Sequence, residues 1–360
     1  MTMINRDRLV KTLCDLVQID SPSGEEEPMA VELQRRLTAM GLDTARDAYG
    51  NLIASDGGKD PLLLSAHMDT VEPGRGIKPR VDGDRIESDG TTILGGDCKA
   101  GVSAILEALE SIKEDGTPHV SFEIAFTREE EIGLAGARNL NFSKISAKEA
   151  VIFDGEGPPS QITSASPTYV GFRIEIKGRA AHAGVEPEKG LSAIRIASEL
   201  MTRLPQGRLD DETTFNIGTI EGGSTRNTVP ENTLVTGEFR SRNLETLDGV
   251  HLQFMAAIEE VRRMFPEAVI EEHLHTEFES YNLTEDDPAT KRVMSTLRTL
   301  GLEPTLRPSG GGTDGNIFRQ RGISAVVVGM ADHNMHTVRE YVTISDLVDA
   351  AHLCETLLTE

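Results

Sequence analysis

Histidine and acidic side chains recur in this chain at the ends of short apolar runs: His67 with Asp69, Asp97, the pair Glu130 and Glu131, Asp154, and His336. No other feature limits so tightly what the chain can fold into. Leu62, Leu63 and Leu64 lead into His67; Phe122, Ile124 and Phe126 lead into the acidic run; Val151, Ile152 and Phe153 lead into Asp154. Runs of this length and composition read as buried strands. In open, mostly parallel α/β sheets the ligand site lies beyond the carboxyl ends of the strands, so three such ends converge on one place.

Carboxylate oxygen and imidazole nitrogen suit hard and borderline divalent cations, and two ions about 3.5 to 4 Å apart need a bridging carboxylate. Asp97 is the candidate bridge. It sits in TTILGGDCKAGVSAILEAL, where Gly95 and Gly96 permit a tight loop and Val102, Ile105, Leu106 and Leu109 mark an amphipathic helix. Asp69, two residues after His67, has the spacing to accept a hydrogen bond from the ring nitrogen turned away from metal and so to fix the tautomer. Taken singly, each position is an ordinary loop residue, and the triplet Glu129 to Glu131 is an ordinary solvated charge run. Here the triplet follows an apolar strand and precedes Ile132 and Gly133, which turns at least one carboxylate back toward the strand end. Glu129 competes for that place.

At these residues the chain resembles the co-catalytic zinc exopeptidase family of peptidase T, aminoacylase, acetylornithine deacetylase and glutamate carboxypeptidase. HMDTV, GGDCKAG, EEEIG, FDGEG and NMHTVREYV match the family's motifs in its order and span nearly the whole chain. The resemblance implies one metal held by His67, Asp97 and Asp154, a second held by Asp97, Glu131 and His336, and Glu130 as general base. The implied cofactors are two divalent ions, zinc first, with cobalt or manganese as substitutes. Aspartate at position 154, SGGGTDGN at 309–316 and IKGRAAHAG at 176–184 are most similar to peptidase T-like members. The resemblance also gives His182 the stabilisation of a tetrahedral oxyanion and Arg240 a bidentate grip on a substrate carboxylate. Read alone, both are surface charges. Asn227, in GSTRNTVPE, has an amide to donate to either group. SGGGTDG lacks the Gly-Lys-Ser/Thr ending of a phosphate loop and reads as a flexible loop lining the substrate site, with Gly312 and Thr313 as candidate contacts.

A chain of 360 residues can hold two domains. Residues 1–168 alternate helices and strands. MTMINRDRLVKTLCDLVQI is an amphipathic helix through Leu9, Leu13, Leu16 and Val17; a second helix near 29–40 ends at Gly41; strands lie near 61–66 and 120–127. Residues 169–279 read strand, helix, two strands, helix, strand, the βαββαβ order of a ferredoxin-like sandwich. Over 280–360 the α/β pattern resumes, with a helix in PATKRVMSTLRTLG, a strand in ISAVVVG and a closing helix in ISDLVDAAHLCETLL. The expected fold is therefore α/β: a discontinuous catalytic domain, 1–168 and 280–360, with a mixed, mostly parallel sheet, interrupted by an α+β lid and dimerisation domain at 169–279. The lid helices, with Ile194, Ile196, Leu200 and Leu204, cover one face of its sheet and leave an edge that can pair with a second copy. A homodimer through the lid follows as an expectation. In relatives of this fold the lid histidine reaches the partner's site, so His182 is a candidate to act in trans.

The formal charge of −23 argues against nucleic acid and anionic membrane as partners, and no apolar run approaches membrane-spanning length. Cys14, Cys98 and Cys354 are too few and too scattered for a disulfide framework, which favours a reducing, cytoplasmic location. Cys98 reads as a small buried neighbour of Asp97. The expected activity is hydrolysis of short peptides by a water that two metals activate. Its nearest competitors, an N-acyl amino acid amidohydrolase and a carboxypeptidase of the same family, use the same residues. A non-catalytic peptide-binding protein would lack at least one catalytic element, and none is missing. A metallophosphatase calls for clustered Arg or Lys near the ligands, and near Asp97 stands only Lys99.

Overall fold

The computed structural model describes residues 4–359. The opening amphipathic stretch forms α1 (Arg6–Val17), capped by the Asn5 side chain, which accepts from the Arg8 amide; its first three residues lie outside the described residues. α2 (Glu27–Met40) carries Pro28 in its first turn and stops at Gly41, whose left-handed φ of 95° side chains resist. Next come β1 (Asp43–Arg46), β2 (Leu52–Ser55), β3 (Leu62–His67), β4 (Arg80–Asp82), β5 (Arg85–Glu87) and α3 (Gly96–Asp115). β6 (Phe122–Thr127), the single turn α4 (Ala135–Arg138), β7 (Glu149–Glu156) and β8 (Gln161–Ser166) complete this stretch. The middle segment holds β9 (Thr168–Lys177), α5 (Ala193–Met201), β10 (Gly207–Arg208), β11 (Thr213–Gly222), β12 (Asn232–Ser241), α6 (Leu244–Met264) and β13 (Val269–Phe278). After β14 (Tyr281–Asn282) follow α7 (Pro288–Thr299), β15 (Thr305–Pro308), α8 (Asp314–Gln320), β16 (Ser324–His333), β17 (Tyr341–Thr343) and α9 (Ile344–Thr359).

Two compact units divide the chain: one runs to Ala165 and resumes at Asn282, the other is Ser166–Tyr281. In the first, a mixed sheet runs β1-β2-β6-β3-β7-β16-β17-β5-β4. Its central strands β6, β3, β7 and β16 are parallel, and the strands flanking them pair antiparallel. β3 and β6 are buried at every position, as unalternating apolar runs require when both faces are covered. The α3 helix packs on β3, β7 and β16 and against α1 and α9. It is buried through most of its length. Even its Glu107 lies inside, where both carboxylate oxygens accept from the Arg8 guanidinium at 2.7 and 2.9 Å, and Oε1 also from the Asn5 amide at 2.7 Å. That pairing is what permits a carboxylate at this depth. Close approach of α3 to the sheet rests on Gly101, where a Cβ would stand 2.0 Å from the Phe153 carbonyl oxygen. The contact falls one residue before Asp154.

The second unit is a five-stranded antiparallel sheet, β10-β11-β12-β9-β13, with α5 and α6 on one face. Alternation along β9 sends Phe172, Ile174 and Ile176 inward and leaves Arg173, Glu175 and Lys177 exposed. Phe172, Phe215, Phe239 and Phe254 form an aromatic cluster at its centre, with neighbouring ring centroids 5.0 to 6.4 Å apart. The ferredoxin-like order is present, with the two-residue β10 added at one edge. Ile196, Leu200 and Leu204 are buried, whereas Ile194 is 39% exposed: two residues before Ile196 on a helix, it points off the core face.

Two glycine substitutions separate these roles. Gly101→Ala should lower stability by an overpacking cost of about 1–3 kcal/mol and the urea midpoint with it. Gly249→Ala, inside α6 with nothing within 4 Å of the added methyl, should raise stability by about 0.5–1 kcal/mol. Equilibrium urea unfolding of the two variants beside wild type checks both signs.

Candidate metal centre and active site

The four parallel strands all present their carboxyl ends on one side. His67 is the last residue of β3, Asp154 lies near the end of β7, Glu130 and Glu131 follow β6, and His336 follows β16. Asp97 enters from the loop into α3, where Gly95 takes φ 72° and the backbone of Asp97 and Cys98 is not yet helical. Glycine is required at position 96, since a Cβ there would stand 2.7 Å from Val342 and 2.9 Å from the Asp332 carboxylate.

Two donor groups result, and they share Asp97. His67, Asp97, Cys98 and Asp154 offer donor atoms within 4.8 Å of one another, as do Asp97, Glu131 and His336. The two oxygens of Asp97 face different histidines. Oδ1 lies 3.0 Å from His67 Nε2, and Oδ2 lies 3.2 Å from His336 Nε2. His67 Nε2 is also 3.4 Å from Asp154 Oδ1, and His336 Nε2 is 3.1 Å from the Glu131 carboxylate. Cys98 is buried, its thiol donating to the Phe153 carbonyl at 2.8 Å.

The electrostatics of this cluster suit cations. Burial, reinforced by the charge of Asp154, pushes Glu130 well above the usual carboxylate range. Burial and the Asp97 charge raise Glu131 to about 7, and burial raises Asp154. Asp97 goes the other way: burial opposes its ionisation, but hydrogen bonds from His336 and His67 hold it below the usual range. Hydrogen bonds to Asp97 and Glu131 lift His336 to about 10. Buried carboxylates that resist joint ionisation, interleaved with imidazoles, match the donor chemistry of two divalent ions, whose four positive charges balance Asp97, Glu130, Glu131 and Asp154. The residues present fit a two-ion centre.

Buried carboxylates of a different kind hold the loops in place. Asp69 accepts from the amides of Glu130 (3.0 Å) and Glu131 (3.2 Å) and from the Ser23 hydroxyl (2.7 Å). His67 Nδ1 lies 3.0 Å from the Asp69 backbone oxygen and 3.4 Å from its carboxylate, so the main chain of Asp69 is the nearer partner of the ring. Glu26, fully buried, accepts from the Glu129 amide at 3.1 Å and from Arg128 at 2.7 Å. Three consecutive amides of the acidic turn are thus anchored on carboxylates. The Glu129 side chain is engaged by the Tyr49 hydroxyl, which removes it from the competition its position suggested. Glu130 is buried and stands outside both donor groups.

Sequence reasoning passed over Glu26, Glu340 and Asp314. Glu340 accepts three amides of the Asp97 loop, and Asp314 accepts from the Thr127 hydroxyl at the end of β6. Both lie inside motifs already singled out, four residues beyond His336 and one beyond Thr313, and that proximity was the available signal. SGGGTDGN is also less loop-like than expected. Thr313 caps α8, its side chain accepting from the Gly315 amide and its own amide donating to Asn316, while Gly312 remains in the loop before it.

His182, Asn227 and Arg240 belong to the second unit. Exposed His182 pairs with Thr228 through the backbone, and the Ala183 amide donates to the Asn227 carbonyl at 3.0 Å, so the two loops lie side by side. Arg240 Nε donates to Glu238 at 2.8 Å and its guanidinium covers the Tyr169 ring at 4.3 Å. Both partners share the solvent-facing side of the sheet with it.

This fold and this constellation define a known class. Residues 63–360 match the model of peptidase family M20/M25/M40, and the chain belongs to that family. Within it the chain is similar to peptidase T-like proteins. It is 36% identical over 370 residues to the uncharacterised protein YqjE of Bacillus subtilis, covering 99% of both chains. Among solved structures, a tripeptidase from Staphylococcus aureus superposes with a TM-score of 0.89 at 33% identity, over 99% of this chain and 98% of that one. The aminopeptidase PepT from Bacillus cereus superposes with a TM-score of 0.85 at 34% identity, over 99% of each.

Asp314 supplies a pH test of the buried charge. Burial lifts its carboxyl from 3.8 to about 7, so the folded chain keeps a proton that the unfolded chain releases. The unfolded state then binds fewer protons, and stability falls as pH rises from about 4 to about 7. In chelator-treated protein, Asp314→Asn should reduce that fall, measured as urea midpoints across this range. An equal fall in variant and wild type would place the Asp314 carboxyl near its ordinary value.

Proposed function

We propose that the protein is a two-metal exopeptidase of the peptidase T type that hydrolyses short peptides. The observation that carries this reading is the Asp97 carboxylate, shared between two donor groups, with a buried glutamate beside them that belongs to neither. His67, Asp97 and Asp154 would hold one divalent ion and Asp97, Glu131 and His336 the other, zinc being the first choice and cobalt or manganese substitutes. Such ions lower the pKa of water and polarise a carbonyl. Glu130 takes the proton of the attacking water and returns it to the leaving amine. Its raised pKa suits a group that must hold a proton between the two steps. His182 and Asn227, on adjoining loops, donate to the developing oxyanion, Arg240 holds a substrate carboxylate, and Gly312 and Thr313 line the substrate. The similarity to an aminopeptidase and a tripeptidase supports cleavage of short peptides over N-acyl amino acids. The free cysteines Cys14, Cys98 and Cys354 agree with a cytoplasmic location. Among the described residues no helix is long and apolar enough to cross a membrane.

Removing metal with a chelator should abolish hydrolysis. Glu130→Gln should keep both ions and lose activity by about 10²-fold or more, while Glu131→Gln should lose metal. Metal analysis by mass spectrometry, beside product analysis on di- and tripeptides and N-acetyl amino acids, separates these outcomes; the reverse metal pattern would shift the base to another glutamate.

The second unit leaves the outer edge of β13, and most of the edge of β11 turned away from β12, without a strand partner among the described residues, which supports a homodimer through this unit; in that dimer His182 would reach the partner's site. Inactive Glu130→Gln and inactive His182→Ala chains refolded together should then regain about a quarter of wild-type activity from randomly paired dimers. No recovery, or a monomer in solution, rules out action in trans.

A further inference from the structure

Glu340 is a buried carboxylate with no place among the metal donors. It is 1% exposed. Its Oε2 accepts from the amides of Leu94 at 2.7 Å and Gly95 at 2.8 Å, and its Oε1 from the amide of Asp97 at 3.1 Å. These donors lie 243 to 246 residues away in sequence, in the loop that delivers the shared carboxylate. At the start of a helix such amides have no intrahelical acceptor, and bonds to a charged acceptor are roughly twice as strong as neutral ones. The Asp97 loop is therefore hung on one side chain.

The other end of that side chain belongs to the segment of His336. The Glu340 amide donates to the Thr337 carbonyl at 3.0 Å. The Thr337 hydroxyl donates to the Asn334 carbonyl at 2.8 Å, and Asn334 Nδ2 to the Arg339 carbonyl at 3.3 Å. Within this tied segment His336 takes φ 63° and Asn334 φ 59°, left-handed values that cost a non-glycine residue energy and persist only where the surroundings impose them. One carboxylate thus spans the two segments that must meet for Asp97 Oδ2 to face His336.

We propose that Glu340 is a positioning residue for the two-ion centre: it sets the orientation of Asp97 relative to His336 and so governs the affinity for the second ion, the one at Asp97, Glu131 and His336. The proposal rests on the two-ion reading given above. It acts through Asp97 and not through contact with substrate.

Glu340→Gln keeps the shape but turns an amide nitrogen toward one of the three donors. In the full-length protein, zinc titration against a chromophoric chelator should show the second ion bound about 10–100-fold more weakly, the range typical for groups that orient metal ligands. The first ion, which keeps His67 and Asp154 beside Asp97, should weaken much less. At limiting zinc kcat should fall with KM unchanged, and in the dicobalt protein the magnetic coupling between the ions, read by electron paramagnetic resonance, should weaken. A wild type that binds two ions with a Glu340→Gln variant matching it in both affinities overturns the proposal alone, as does equal weakening of both ions. A wild type that binds fewer than two ions overturns the two-ion reading and the proposal with it. If the variant does not fold, hydrogen exchange on chelated wild type decides. Amides of Leu94, Gly95 and Asp97 exchanging as slowly as those inside α3 support the clamp, and loop-like rates overturn it.

Discussion

Everything at the centre of the first unit depends on the sharing of the Asp97 carboxylate. Its two oxygens face histidines that lie 30 residues and 239 residues away in sequence. To bring them together, the chain gathers carboxylates at the ends of four buried strands, where desolvation and mutual repulsion work against ionisation. Such a concentration is tolerable only if each charge has a defined partner. Two kinds of partnership serve six of these carboxylates, and burial holds Glu130 and Asp332 above the usual carboxylate range instead. Asp97, Asp154 and Glu131 face imidazoles and fit cations, whereas Asp69, Glu26 and Glu340 lie outside the donor groups and accept backbone amides. The anchors do for the loops what hydrogen-bonded ladders do for strands. They give rigid position to segments that belong to no regular element.

Of the candidate donors, His67, Glu131 and Asp154 were legible in the sequence from the apolar runs that precede them, whereas Asp97 was read from the glycine loop before a helix and His336 from the resemblance of NMHTVREYV to a family motif. An unalternating apolar run reads as a buried strand, and the residue after it must emerge at the strand's end, which located His67, the acidic turn and Asp154. The anchors carry no such signature. A carboxylate that accepts amides from a distant loop leaves no periodic trace, so Glu26 and Glu340 look like any surface acid in sequence, and Asp314 was hidden inside a glycine-rich stretch that read as a loop. Short strands such as β4, β5 and β17 went unread for a related reason. Three residues are too few for a period, and their strand character comes from pairing with one another. Ile194 misled in the opposite sense, because apolar character alone does not say which side of a helix it occupies.

The order of the strands adds a constraint in time. β16 lies between β7 and β17 in the sheet, yet it is among the last elements in the chain, after the whole of the second unit. A growing chain folds from its amino end while the rest is still being made. During that interval His67, Asp97 and Asp154 have already emerged, but the long buried edge of β7 has no neighbour, and neither His336 nor Glu340 yet exists. An open apolar edge of this kind invites pairing with other chains. Placing the closing strand in mid-sheet therefore leaves the edge of β7 open while the whole of the second unit is still being made, a window in which an unpaired apolar edge is exposed to aggregation.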